Sequence, residues 1–404
     1  MRTSPRKETR PPVVLLGGLH IVRALGMARI AALIASSERR TPAMASRHCG
    51  GGIELPAFGE RDAVVETLVR AGRELAGRYG APSPLFYDNE DRLSLVQDYR
   101  AALEPHFALL LNEPSLGRAL LDKSAFHELA ERYGLPVPRR LAWETLDAES
   151  GPVLVKPNLK TTADQSSLHR QLFGTGKARV FANGREARAE RVVARLAGEL
   201  AFQEYVPGGD DAIWSFHGFA APGGDVLASY IGRKIRTFPE LTGDSSYLRL
   251  AHDDGLDALG RDIAARLGLA GIFKMDFKRS ASSGRFHLLE INTRFNLWNY
   301  LGARNGVNLP RVAYDFLTSG ERPERARAAT RYRWVAMRYD WPAFRQLRAR
   351  GGLGLAGWLL SLAYVPKVYE LFAWSDPLPF ARYWTRRLRA AFTRRMQRWL
   401  VTAS

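Results

Sequence analysis

The chain has 404 residues, enough for two or three domains and a sizeable core, and its 46% hydrophobic and 10% aromatic content excludes a mainly disordered polymer. One cysteine, Cys49, excludes a disulfide framework and a cysteine-built zinc site, and fits a reducing, cytoplasmic compartment. The formal charge of +18 is uneven: residues 321–404 hold 16 Arg and one Lys against five acids. Nucleic acid, peripheral contact with an anionic membrane surface, acidic ligands and a merely solvated arginine face all answer to such a bias. No recognised nucleic-acid motif accompanies it.

The basic opening Met1 to Arg10 and the apolar stretch Val13 to Ala35 imitate a secretory leader, but His20, Arg23 and Arg29 interrupt it. Val13 to Gly18 reads instead as a buried strand and turn, followed by a helix from about Ile21 to Ala35. Val64 to Tyr79 has helical spacing, Leu85 to Tyr87 is a short strand, Asp91 to Leu103 is helical again, and Phe107 to Leu111 is another strand. Such alternation argues for a parallel sheet with helices on its faces.

A second unit begins near Pro114, with a helix over Ser115 to Tyr133 broken by Gly134-Leu135-Pro136-Val137-Pro138. Val153 to Pro157 is a strand, Arg185 to Leu200 a helix and Ala201 to Val206 a strand. Trp214 to Ala220 and Val226 to Arg233 form an antiparallel pair about the turn Pro222 to Asp225. After a helix over Leu256 to Leu267, Gly271 to Lys278 and Arg285 to Asn292 make a hairpin. Past Gly320 the composition turns to Arg and Trp, and the apolar run Leu353 to Val365 is too short to span a bilayer; it reads as a buried helix, with an interfacial helix as the alternative.

The late hairpin carries the chemistry. Glu290 and Asn292 are two apart on one strand and share a face, and Asp276 across from them brings three oxygen-bearing side chains together. Such ligands suit Mg²⁺, which takes one or two carboxylates plus substrate phosphates. Lys274 points the same way as Asp276 and can neutralise a transferring phosphoryl group; Arg294 is the other cation within reach. Lys156 ends an apolar strand, where burial without an anion is costly. Lys234 and Arg236 alternate on one strand, toward phosphate or substrate or toward solvent. His217, His252 and His287 read as structural.

Gly271-Ile272-Phe273-Lys274-Met275-Asp276-Phe277 with Leu288-Leu289-Glu290-Ile291-Asn292-Thr293-Arg294 resembles the metal-binding signature of the ATP-grasp superfamily. Upstream segments match in order: Leu121 to Phe126 resembles the stretch with the first nucleotide lysine, Lys123, and Val153 to Pro157 the strand with the second, Lys156. Gln203-Glu204-Tyr205-Val206-Pro207-Gly208 is similar to the hinge strand whose backbone reads adenine, and Asp211 to the acid at the ribose. With Gly232 to Pro239 and Asp376 to Phe380, the order is most similar to bacterial predicted carboxylate–amine ligases, near the D-aspartate ligases.

This resemblance implies an α/β fold, α+β in its ATP-binding half, with a Rossmann-like pre-ATP-grasp domain over 1–112. An ATP-grasp domain over 113–322 and a basic helical extension over 323–404 complete it. It implies ATP and two Mg²⁺ ions, with Mn²⁺ as a substitute, and a carboxylate and an amine as substrates joined through an acyl phosphate. A non-catalytic ATP-binding regulatory module, docking anionic partners through the basic C-terminus, is the rival. The lid expected between Asn158 and Val180 is poor in glycine. Gly174 to Ala178 is not a P-loop, because Gln171 stands at the first glycine position and Ala178 replaces Ser or Thr.

Overall fold

The run Val13–Leu16 (β1) buries all four of its side chains, and a parallel sheet is laid around it. Its other strands are β2 (Ala32–Ser36), β3 (Cys49–Glu54), β4 (Ser83–Tyr87) and β5 (Phe107–Ala108), in the order β3-β2-β1-β4-β5. The computed structural model describes residues 10–158, 167–174, 176, 178–240, 243–363 and 365–402. The helix expected over Ile21 to Ala35 is shorter, Leu19–Met27, and its second half is β2. Arg29 adopts a positive φ of 57°, which ends the helix and turns the chain back to pair with β1. Strand β3 escapes a side-chain pattern because Gly50, Gly51 and Gly52 have no side chains to show one.

A second, antiparallel sheet consists of β6 (Arg140–Leu141), β7 (Val153–Pro157), β8 (Arg179–Phe181) and β9 (Leu200–Glu204), in the order β6-β9-β7-β8. It has its own core, including Leu146, Val153, Val155, Phe181, Val193 and Phe202. Helices expected to be continuous are divided by capping acids. Asp122 accepts from the Ala125 N–H and separates Pro114–Leu121 from Lys123–Arg132, and Glu190 caps Arg191–Arg195 after Gly184–Ala189. Part of the expected lid, including Thr161, Thr162, Ser166, Thr175 and Lys177, lies outside the described residues.

The third sheet has seven strands: β10 (Ile213–Ala221), β11 (Asp225–Phe238), β12 (Asp244–Ala251), β13 (Gly271–Arg279), β14 (Phe286–Asn292), β15 (Arg333–Val335) and β16 (Lys367–Tyr369). Their order is β14-β13-β10-β11-β12-β15-β16. Phe216, Phe273 and Phe277 pack with Ile263 and Leu267 of the helix Asp254–Leu267 in one core. The stretch expected as a helical extension therefore also supplies the last two strands at one side of this sheet. Its helix Leu355–Ala363 buries only Trp358, and Leu355, Leu359 and Leu360 are about half exposed, contrary to the expected buried helix. No described helix is long and apolar enough to cross a membrane.

Two buried carboxylates fasten this stretch. Asp340, fully buried, accepts from Arg236 Nε at 2.8 Å and Nη2 at 3.0 Å, from Ser246 at 3.1 Å and from the Trp358 indole at 2.9 Å. Asp376 accepts from Arg23 Nε at 2.9 Å, from the Ser46 hydroxyl at 2.8 Å and from the Arg47 N–H at 2.9 Å. These bonds hold its pKa below the usual carboxylate value although burial opposes them. Asp340→Ala leaves the Arg236 charge uncompensated, and urea denaturation is expected to show a loss of about 3–5 kcal/mol.

Candidate active site

A cleft of about 1280 Å³ lies between β7 and β9 on one side and the seven-stranded sheet on the other. The carboxyl end of the parallel sheet closes it through His20, Asp88 and Glu90. Five of the nine lysines in the chain line it: Lys123, Lys156, Lys234, Lys274 and Lys278. In a chain that otherwise uses arginine, this concentration of compact point charges suits phosphate.

In the hairpin, Asp276 stands directly opposite Glu290 and Lys274 opposite Asn292, so the four side chains share one surface. A bulge follows immediately: Phe277 pairs with Leu288, which leaves Leu289 as the extra residue. Asp276 is 6% exposed; one oxygen accepts from Ser215 and the other lies 2.6 Å from Lys274 Nζ. Asn292 donates to Glu290 Oε1 at 3.0 Å. Two carboxylates and an amide facing an open cleft fit a hard cation that completes its shell with phosphate and water. Among the described residues no group of three His, Cys, Asp or Glu forms a closed metal cage.

Lys123, at the start of its helix, donates to the Pro157 carbonyl at 2.5 Å and so lies at the end of β7, close to Lys156. On β9 and just beyond it, Gln203, Glu204, Tyr205 and Val206 line the cleft, and Glu204 is held by the Arg139 N–H at 3.0 Å. Lys278 lies 4.2 Å from the centre of the Tyr205 ring, and burial lowers its pKa to about 8 against a raising contribution from Asp210. His217 is fully buried between Tyr230 and Trp298, opposite Lys274; burial, then that lysine, keeps it neutral, as its structural reading requires.

Arg294 reaches across to the parallel sheet, with Nη2 2.5 Å from Glu90 Oε1 and Nη1 3.3 Å from the Asp88 carbonyl. The next residue donates its N–H to the Tyr87 carbonyl at 3.1 Å, tying β14 to β4. Asp88 accepts from the Gly18 N–H at 2.7 Å and from Arg92. His20, 3.7 Å from Asp88, has its pKa lowered by burial first, then by Arg294 and Arg92, against Asp88. His20, Asp88 and Glu90 are further cleft residues, whose nearest sequence signal is Gly17-Gly18 after a buried strand; Lys278 is another, marked in the sequence only as a scarce lysine on the hairpin.

Two expected residues do not reach the cleft. Arg236 is 4% exposed and committed to Asp340, because the ladder between β11 and β12 shifts register between Lys234 and Arg236 and puts them on opposite faces. Lys234 keeps the cleft side. Asp211 points outward, 64% exposed, and pairs with Arg233 at 2.8 Å; its neighbour Asp210 is the buried acid, bonded to Thr237.

A nucleotide-sized cleft between two antiparallel sheets, with an acidic hairpin on one and Lys156 on the other, is the arrangement of the ATP-grasp fold, and this chain has that fold. No family model matches it. It is 22% identical over 271 residues to D-aspartate ligase of Enterococcus faecium, covering 64% of each chain, just under two thirds of that relative's length. Among solved structures it resembles biotin carboxylase of Campylobacter jejuni, with a TM-score of 0.59 and 12% identity over 80% of this chain and 74% of that one. It also resembles L-amino acid ligase of Bacillus licheniformis, with a TM-score of 0.53 and 14% identity over 76% of this chain and 74% of that one. At these identities the structural likeness is one of fold.

A charged hydrogen bond to phosphate contributes about 1.5–3 kcal/mol. Lys156→Ala is therefore expected to weaken ADP binding, read by calorimetry, by roughly 10–150-fold.

Proposed function

We propose that the chain is an ATP-dependent carboxylate–amine ligase releasing ADP. The observation that carries this reading is the facing of Asp276 by Glu290, with Asn292 and Lys274 beside them, in the cleft that also holds Lys123 and Lys156. The similarity to D-aspartate ligase supports the amide-forming class, and the biotin carboxylase it resembles was solved as a complex with β-γ-ATP.

Lys123 and Lys156 hold the phosphates from one jaw, and the strand from Gln203 to Val206 forms the adenine wall. Asp276, Glu290 and Asn292 would hold Mg²⁺, with Mn²⁺ as a substitute; the metal, two ions by analogy, supplies charge neutralisation at the β- and γ-phosphates. Lys274, 2.6 Å from Asp276, faces the phosphoryl group in transfer. A carboxylate oxygen of the substrate attacks the γ-phosphorus and ADP leaves, giving an acyl phosphate. The amine then attacks the acyl carbon, the carbon–oxygen bond breaks, and phosphate departs as the amide forms. Arg294, fixed by Glu90, positions the carboxylate substrate at the end of the cleft where the parallel sheet meets it. Catalysis here is orientation and preorganised charge.

The test is ADP release across a panel of carboxylates and amines, with hydroxylamine added to trap the acyl phosphate as a hydroxamate. Glu290→Gln and Asp276→Asn are each expected to reduce turnover by at least about 10²-fold while the fold persists. Retained activity in both overturns the metal assignment. Tight binding of Mg-ATP with no release from any pair overturns the ligase reading and leaves a regulatory module.

We also propose peripheral contact with an anionic membrane surface through the helix Leu378–Thr402, which holds seven arginines and no acid. Its Trp384 and Leu388, and Trp374 before it, are well exposed. Co-sedimentation with phosphatidylglycerol vesicles but not with phosphatidylcholine vesicles is expected, and Trp384→Ala with Leu388→Ala should reduce it.

A further inference from the structure

Register carries one row of side chains straight across the seven-stranded sheet. Trp214 lies opposite Arg233, Arg233 opposite Arg249, Arg249 opposite Arg333, and Arg333 opposite Lys367. The next residues along, Lys234, Leu248 and Trp334, line the cleft, so alternation puts the row on the opposite face. Four cations therefore stand on four adjacent strands, spanning roughly 14 Å at the usual strand spacing.

Like charges directly opposite one another destabilise a sheet. A solvated arginine face avoids this by extending its heads into water, but all four of these residues are partly buried. The ends of the row have relief. Arg233 pairs with Asp211 at 2.8 Å and lies over the Trp214 ring at 5.2 Å. Arg333 donates to the Tyr247 hydroxyl at 3.2 Å, and Lys367 to the Val365 carbonyl. Arg249, in the middle, has no acceptor among the described residues, and its Nε is buried. Burial, and after it Arg233 and Arg333, lowers the pKa of Arg249; burial, Arg333 and Arg236 push Lys367 down to about 8. Among the described residues, Arg249, Arg333 and Lys367 thus stand together without an acidic partner, and only Arg233 has one.

We propose that Arg249, flanked by Arg233, Arg333 and Lys367, binds a small anion bearing a chain of phosphates, on the side of the sheet away from the catalytic cleft. Guanidinium groups meet phosphate oxygens in pairs, and cations repeated at strand spacing offer partners to successive phosphates. The site stands apart from the ligase reading and does not depend on it. Its ligand is either an inorganic phosphate chain or the polyphosphate of a nucleotide.

The experiment titrates the full chain with inorganic tripolyphosphate after the cleft has been filled with Mg-ADP. One tripolyphosphate per chain is expected. Arg249→Met removes the charge and keeps the apolar stem. It should lower tripolyphosphate affinity by at least about tenfold. The same variant should melt at a higher temperature than the parent in the absence of the anion, since the repulsion is relieved, and should bind ADP in the cleft as before. Lys367→Met, at the sheet edge, should weaken tripolyphosphate in the same direction, and it carries the test if Arg249→Met does not fold. Two ADP per chain in the filling step would identify a nucleotide as the ligand; one ADP, with tripolyphosphate still binding, would identify a phosphate chain alone. No binding beyond the filled cleft, or parental affinity in the variants, overturns the site. So does a lower melting temperature for anion-free Arg249→Met, which would make the arginine a structural support.

Discussion

The pairing of β13 with β14 sets two carboxylates side by side at the edge of a protein interior. Asp276 and Glu290 occupy facing positions, and Asp276 is nearly out of contact with water. Adjacent carboxylates repel, and burial sharpens the repulsion, so the arrangement requires positive charge. Lys274 provides some of it from two residues away, and Ser215 and Asn292 contribute hydrogen bonds within the cluster. What remains is a surface of two carboxylates and an amide open to the cleft, of the chemistry that suits a hard cation. Much of the surrounding structure keeps this pairing in place: His217 beside Lys274 on the neighbouring strand, the bulge at Leu289, and the bonds from Arg294 and Phe295 to the first sheet.

Arginine and lysine divide the remaining electrostatic work. Arg23 and Arg236 each form a buried pair with an acid from the C-terminal stretch, Asp376 and Asp340 respectively, where a planar fork can satisfy several acceptors at once. Lysines are few and gather at the cleft, where a ligand must come and go. The large positive charge of the chain is thus not one property. Part of it fastens strands and helices together, part faces the cleft, and part lies in a row on the far side of the sheet.

The hairpin and Lys156 are legible in the sequence because their chemistry is local, whereas the segment from Gln203 to Val206 reads locally only as a strand and enters the site through the family resemblance. Alternation along a strand tells which side chains share a face, and a scarce lysine beside an apolar run needs an anion. The same alternation failed for Arg236, since a register shift between it and Lys234 depends on the partner strand. Asp210 and Asp211 are neighbours whose roles are settled by Thr237 and Arg233, both more than twenty residues away in sequence. The site at Asp88 and Glu90 depends on a β4–β14 contact that no local pattern announces. Composition also misled over Leu353 to Val365: an apolar run implies burial only if another surface is available to cover it.

The small sheet of β6 to β9 keeps a hydrophobic core of its own, built from residues between Leu141 and Phe202. The hairpin, by contrast, is stitched to the parallel sheet by the Phe295 amide and the Arg294 guanidinium. The two walls of the cleft are therefore mechanically unequal. One is bonded directly into the parallel sheet; the other keeps its own core and is met at Pro157 and Asn158 by Lys123 and Ser124.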